Sequence, residues 1–285
     1  EKNGVLSCDF KELSGRGIHL SGGDRKTLTP SNHFAKNNHI YNFSRIHKTY
    51  HPAINVDGVG QNISHNYIHD APHTGLTFAG NEHVFSYNEI CRVALETGDV
   101  GAIGIAMDWS YCGNLLEYNY IHNVHGSGRY VPAKGIYQDL PVGGSTVYGN
   151  IFYDLDEGFM TNSGRYNVIV NNVFVKCTPS IFLNVYRAPS HFVLGGPWKL
   201  VERLDRINYR KPPYAKEYPW LPRVLAKNDD PPIPYGNIIV NNISYDGRFL
   251  HLHQQVDFNE ILVEKNIIAD TEVLDWRKVD QEQVV

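Results

Sequence analysis

The chain has 285 residues, with 26 Lys and Arg against 30 Asp and Glu for a net charge of −4, 42% hydrophobic content, 25 Gly and 15 Pro. That balance lays down no basic footprint for nucleic acid, and no run of about 18 apolar residues exists to span a membrane. The apolar content suffices for a large core, and the turn formers with few helix-forming runs predict an all-β, turn-rich protein.

The chain opens Glu1-Lys2-Asn3-Gly4 without a signal-peptide pattern, and a mature or trimmed product is expected. From there an Asn recurs, followed two positions later by a residue that is nearly always apolar: Asn38-His-Ile40, Asn66-Tyr-Ile68, Asn88-Glu-Ile90, Asn119-Tyr-Ile121, Asn150-Ile-Phe152, Asn172-Val-Phe174, Asn242-Ile-Ser244 and Asn266-Ile-Ile268. Asn66 to Asn88 and Asn150 to Asn172 are both intervals of 22 residues. Short β-runs at that period mark a solenoid, in which each unit buries its apolar side against the next. The prediction is one parallel β-helix over residues 1–285, with loop insertions. Asn suits the recurring corner because it tolerates left-handed backbone and its amide can bond the Asn one rung away. Cys8, Cys91, Cys112 and Cys177 are too few and too irregularly spaced for a zinc site or a disulfide scaffold. They read as small buried residues or one incidental bridge.

The period breaks between Asn88 and Asn119 and again between Asn119 and Asn150, each 31 residues, so two successive rungs carry nine extra. Insertions in a solenoid project from one face and line a groove. The first holds Glu96-Thr-Gly-Asp99 and Met107-Asp108-Trp109-Ser-Tyr111, and the second Gly126-Ser-Gly-Arg129-Tyr130 and Lys134-Gly-Ile-Tyr137-Gln138-Asp139. Strand alternation sends Ile54, Leu76, Ile103, Ile136 and Phe159 inward. The outward columns are then Asn55, Thr77, Gly104, Tyr137, Met160 and Asp57, Ala79, Ala106, Asp139, Asn162. Gly104, Ala79 and Ala106 predict a shallow cleft floor beside Asp139; the alternative is that small residues relieve crowding at a bend. His69 and His122 follow Ile68 and Ile121 in matching places and belong to the repeat, whereas His73 lies beside the floor. None of the His spacings specifies a metal site.

Asn172 to Asn242 is an interval of 70. Its Pro- and aromatic-rich stretch, about 187–235, includes a predicted helix over Trp198–Asn208 and is expected to fold onto the face of the two insertions, as a wall or a cover.

Taken together, Ile68-His-Asp-Ala-Pro-His73, Glu96-Thr-Gly-Asp99-Val-Gly-Ala-Ile103, Asp108-Trp109, Gly135-Ile-Tyr137 with Asp139, and Glu217-Tyr-Pro-Trp-Leu221 resemble bacterial right-handed parallel β-helix proteins of glycan degradation, from about Phe34 to about Asn266. The resemblance implies relatives among β-helix glycoside hydrolases, a group with fucosidase and xylanase members, and a secreted or periplasmic setting. The chain departs from that pattern at Gly104, Met107 and Leu140, where Tyr, Arg and a second Asp commonly stand. Such departures would alter a subsite or weaken catalysis. Glycoside cleavage uses two carboxyl groups, and the expected pair is Asp99 and Asp139, with Asp108 and Glu96 in reserve. Asp99 in Thr97-Gly-Asp-Val-Gly101 is otherwise a turn residue. His73, Trp109, Tyr137, Arg129, Lys134, Trp198 and Trp220 are the expected sugar contacts, although loop aromatics also serve as packing plugs. No cofactor or metal is expected; the partner is a polysaccharide or oligosaccharide, and the protein a monomer. The alternatives are a polysaccharide lyase with Lys134 or Arg129 as base, against which no dense acidic cluster for Ca²⁺ stands out, and a noncatalytic glycan-binding solenoid.

Overall fold

A computed structural model describes residues 2–128, 131–187, 198–227 and 229–269. Its strands are three to seven residues long and wind into coils, each contributing one strand to each of three parallel sheets. Among the described residues the first sheet has nine strands, from Gly4–Leu6 to Leu262–Glu264, and the second nine, from Asp9–Lys11 to Ile267–Ala269. The third has eight, from Ile18–Gly22 to Leu250–Leu252. This is the parallel β-helix expected from the period. No helix among the described residues is long and apolar enough to cross a membrane.

Register explains the core. Ile54, Leu76, Ile103, Ile136, Phe159 and Ile181 pair coil to coil on the third sheet, and all are 0% exposed. Each such side chain contributes roughly 1.5–3 kcal/mol by leaving water. The opposite parity, Asn55, Thr77, Gly104, Tyr137 and Met160, forms the outward column that alternation predicts.

The Asn series lies at the corner between the first and second sheets. Asn119 donates both its backbone N–H and its Nδ2 to Asn150 Oδ1, each at 2.9 Å, and the same pattern runs from Asn38 to Asn266. One detail differs from expectation. The left-handed residue is the one before each ladder Asn: Asn37, His65, Tyr87, Tyr118, Gly149, Asn171, Asn241 and Lys265, with φ between 52° and 64°. Asn is therefore selected for its amide, which spans two coils, and its neighbour makes the turn. On the outside of this corner His65 stacks on Tyr87 and Tyr87 on Tyr118, with ring centroids 5.1 Å apart in both pairs. A Cβ at Gly149 would meet the Tyr118 ring at 2.8 Å, so the row stops there.

The insertions do not all project from one place. In the first, extra residues fall on both sides of the strand Val100–Ala106, within 92–99 before it and 107–114 after it; in the second most of them precede Ala133–Asp139. The long segment is described over 198–227 and 229–235. It holds a helix, Leu200–Arg206, shorter than predicted, and a single turn, Tyr214–Glu217. Leu200, Leu204, Tyr214 and Leu221 pack with Leu28, Trp109 and Cys112 into a second apolar cluster over the turn 107–114. Tyr214 donates to Asn81 Oδ1 at 3.0 Å and Arg203 to the Met107 carbonyl at 2.9 Å. A buried ion pair between Arg165 and Asp229, at 2.8 Å, ties the segment to a later coil.

Candidate functional site

The third sheet carries a cleft of about 250 Å³ whose lining includes Tyr50, His73, Thr77, Asp99, Tyr137 and Asp139, with Gly104 in its floor. A Cβ on Gly104 would come no nearer than 3.9 Å to Thr74 Oγ1 and Thr77 Cγ2, and no positive φ demands glycine there. Crowding does not account for this glycine; its missing side chain leaves space open above the sheet.

Two carboxyl groups converge on one phenol. Tyr137, outward on the strand Ala133–Asp139, has its hydroxyl 3.3 Å from Asp99 Oδ1 and 3.1 Å from Asp139 Oδ1. Burial and the two carboxylates push the Tyr137 pKa up, so the phenol keeps its proton and donates. Asn162, one coil on, donates to the Tyr137 hydroxyl at 3.0 Å and to Asp139 Oδ1 at 2.8 Å. Burial raises the Asp139 pKa above the usual carboxylate range, against the lowering effect of the Asn162 and Tyr137 hydrogen bonds.

Asp99 sits in a different environment. Its backbone makes a left-handed turn at φ 52°, and its side chain is 64% exposed at the cleft rim. The turn reading is correct for its backbone. The carboxylate, however, turns to Lys134 Nζ at 2.9 Å and to Tyr137. The Lys134 side chain is only 3% exposed, and its ammonium lies 4.4 Å from the Tyr137 ring centroid. His73 is buried with Nδ1 unpartnered, and burial lowers its pKa, so a neutral imidazole faces the cleft beside Tyr50, ring centroids 5.0 Å apart.

Several expected site residues lie elsewhere. Asp108 is 1% exposed and caps its own turn, accepting from the Ser110 backbone N–H at 2.9 Å. Glu96 is exposed and paired with Lys48 at 2.6 Å. Trp109 is 3% exposed inside the second apolar cluster, where its indole plugs the turn and presents no face to a sugar. Trp220 stacks on Tyr166 at 4.9 Å, and Trp198 packs against the same cluster; neither is among the cleft-lining residues. Arg129 and Tyr130 lie outside the described residues. Asn162 and Tyr50 were missed. Asn162 stood in the predicted outward column one coil from Asp139, whereas nothing in the sequence ties Tyr50, in a loop before the third sheet, to the cleft.

Residues 52–191 match the family model described as the right handed beta helix region. The fold is a right-handed parallel β-helix. A solved structure described as the complex structure of XylC with xylose shares 12% identity at a TM-score of 0.40, over 91% of this chain and 52% of that one. The chain thus spans about half the length of that structure. No curated protein matches the sequence.

Proposed function

We propose that the third-sheet cleft hydrolyses glycosidic bonds of a polysaccharide or an oligosaccharide derived from it, with Asp139 as general acid and Asp99 as its carboxylate partner. The observation that carries this reading is the shared Tyr137 hydroxyl, which holds together two carboxyl groups in unlike environments. Pairs of titratable groups whose surroundings drive them apart are how acid and base roles are divided. Asp139, buried and with its pKa raised, is the better suited of the two to give a proton to the leaving oxygen. Asp99, exposed beside a lysine ammonium, presents a carboxylate to the other side of the bond.

The two bonds through Tyr137, 3.3 Å and 3.1 Å, limit how far apart the bonded carboxyl oxygens lie. Two carboxyl groups within hydrogen-bond reach of one hydroxyl are closely spaced, which supports reading the site as the retaining arrangement of about 5–5.5 Å over the wider one of about 6.5–9.5 Å that admits an attacking water. Asp99 is then the nucleophile. It bonds to the anomeric carbon as the glycosidic bond breaks and the leaving oxygen takes the Asp139 proton; water, deprotonated by Asp139, then releases the sugar. His73 and Thr77 offer hydrogen bonds to sugar hydroxyls, and Tyr50 an exposed ring. Action on a polymer places the protein outside the cytoplasm, a proposal that cell fractionation tests.

Incubation with a panel of polysaccharides and oligosaccharides tests the activity. Saturated reducing ends are expected, with Asp99→Asn and Asp139→Asn each slowing release at least roughly 10²-fold. An unsaturated uronate product would show β-elimination instead. Full activity in the double Asn variant would remove the pair from the mechanism, and binding without any product would make the cleft a glycan-binding surface.

A further inference from the structure

The outward face of the second sheet plays no role in that reaction, yet it gathers metal-binding chemistry. Glu89 and Cys91 share one parity on the strand Glu89–Cys91, and the register sets Cys91 against His122 of the next coil. One ligand atom each from Glu89, Cys91 and His122 lies within 4.8 Å of the others, and Glu89 Oε1 is 3.2 Å from His122 Nε2. Donors around a tetrahedral zinc ion sit about 3.3–3.8 Å apart. The Glu–His pair is already there, and the widest pair has about 1 Å to close.

Hydrogen bonding fixes where the histidine proton sits. The Asp154 carboxylate only accepts, so Asn123 must give it Nδ2, at 3.0 Å. That turns Asn123 Oδ1 to His122 Nδ1, at 2.7 Å, and Nδ1 therefore carries the hydrogen. In the neutral ring Nε2 then aims a lone pair at a carboxylate oxygen. Two acceptors face each other, an arrangement that a cation satisfies, and an outer-shell partner fixing the tautomer is what ligating histidines usually have. Cys91 adds a soft donor, and Arg92 Nη1, 3.3 Å from its sulfur, offers a hydrogen bond to thiolate charge. His69, beside Cys91 in register, is occupied by His39 at 2.8 Å and Asp70 at 2.7 Å and is not counted as a fourth ligand.

We propose that Glu89, Cys91 and His122 bind a borderline divalent transition-metal cation such as Zn²⁺, with Asn123 positioning the histidine. The nitrogen, oxygen and sulfur set suits zinc and its neighbours, and excludes Ca²⁺ and Mg²⁺, which take oxygen.

Co²⁺ titration of chelator-dialysed, tag-free protein tests this, in a Cys8→Ser background that removes the one exposed thiol. One equivalent should give a thiolate-to-cobalt charge-transfer band and visible d–d bands of four-coordinate intensity, both displaced by Zn²⁺. Cys91→Ser should abolish the charge-transfer band, and Asn123→Ala should weaken binding by roughly 10–100-fold without removing a ligand. His122→Gln, a substitution that keeps a polar side chain at this mostly buried position, guards against misfolding: with native circular dichroism it should lose the metal-dependent rise in melting temperature that the parent shows. A protonated His122 paired with Glu89 is the competing state. It predicts no cobalt spectrum and no metal-dependent melting in the parent, and either result, or a band unchanged in Cys91→Ser, overturns the proposal.

Discussion

Gly104 and Asp139 are the residues on which the cleft depends, and each makes a prediction of its own. Because a Cβ at Gly104 meets nothing nearer than 3.9 Å, Gly104→Ala should fold as well as the parent or gain about 0.4–1 kcal/mol from a stiffer unfolded chain. Its methyl would nonetheless stand in the cleft floor, so a melt paired with substrate titration should show stability kept and binding weakened. Asp139 has a folded-state pKa raised by burial. Between the ordinary and the raised value the native state therefore holds a proton that the unfolded state has released. The contribution is fully present below the ordinary carboxylate pKa of about 3.9 and is lost as pH rises through the raised value. Asp139→Asn, which keeps the accepting Oδ1, should be more stable than the parent at neutral pH and equal to it in acid, as read from denaturant midpoints at several pH values. The catalytic rate should fall over the same alkaline limb. Asp99 and Asp139 were legible as neighbours because adjacent elongated rungs bear both and because they match acidic positions of the resembled family; both reach the Tyr137 hydroxyl. Asn162 was legible as a column position but not as a ligand of the pair, since a hydrogen-bond donor leaves no periodic trace. Glu89 and Cys91 lie far from His122 in sequence, and only their register unites them.

At the scale of strands and corners, the Asn ladder shows what periodicity can and cannot tell. Replacing Asn119 by Ala would orphan the backbone N–H of Asn88, leave Asn88 Nδ2 with the Ile63 carbonyl alone, and take the Asn119 donor from the Phe85 carbonyl, all in buried surroundings. A loss of at least about 1–3 kcal/mol is expected by urea unfolding, and pairing it with Asn88→Ala should cost less than the sum because the two share bonds. The interval of 22 revealed the coils, since every coil repeats the same burial. It misassigned the left-handed position by one residue, because Asn is at home both in that conformation and in the ladder. It also left open on which side of each strand the extra residues fall: an interval counts residues without saying at which corner they leave the coil.

For the molecule as a whole, the described stretch of the long segment works as a cover. The sequence pointed to a packed aromatic layer, and Trp109 decides what it packs upon: the indole is consumed by the cluster with Leu200, Leu204 and Tyr214. Trimming 198–227 to a short turn should thus lower the melting temperature and expose apolar surface to dye, whereas Trp220→Ala should change substrate affinity little. The reverse ranking would return the segment to the cleft wall. The stacked rings at the Asn corner have a consequence of another kind. His65, Tyr87 and Tyr118 lie face to face, one per coil, at 5.1 Å intervals. In a quasi-one-dimensional array each coil is held by its neighbours alone, so a row of chromophores across successive coils is an optical ruler built into the rod. Near-ultraviolet circular dichroism from the coupled tyrosines would then report whether the coils come apart singly or all together, without any label attached.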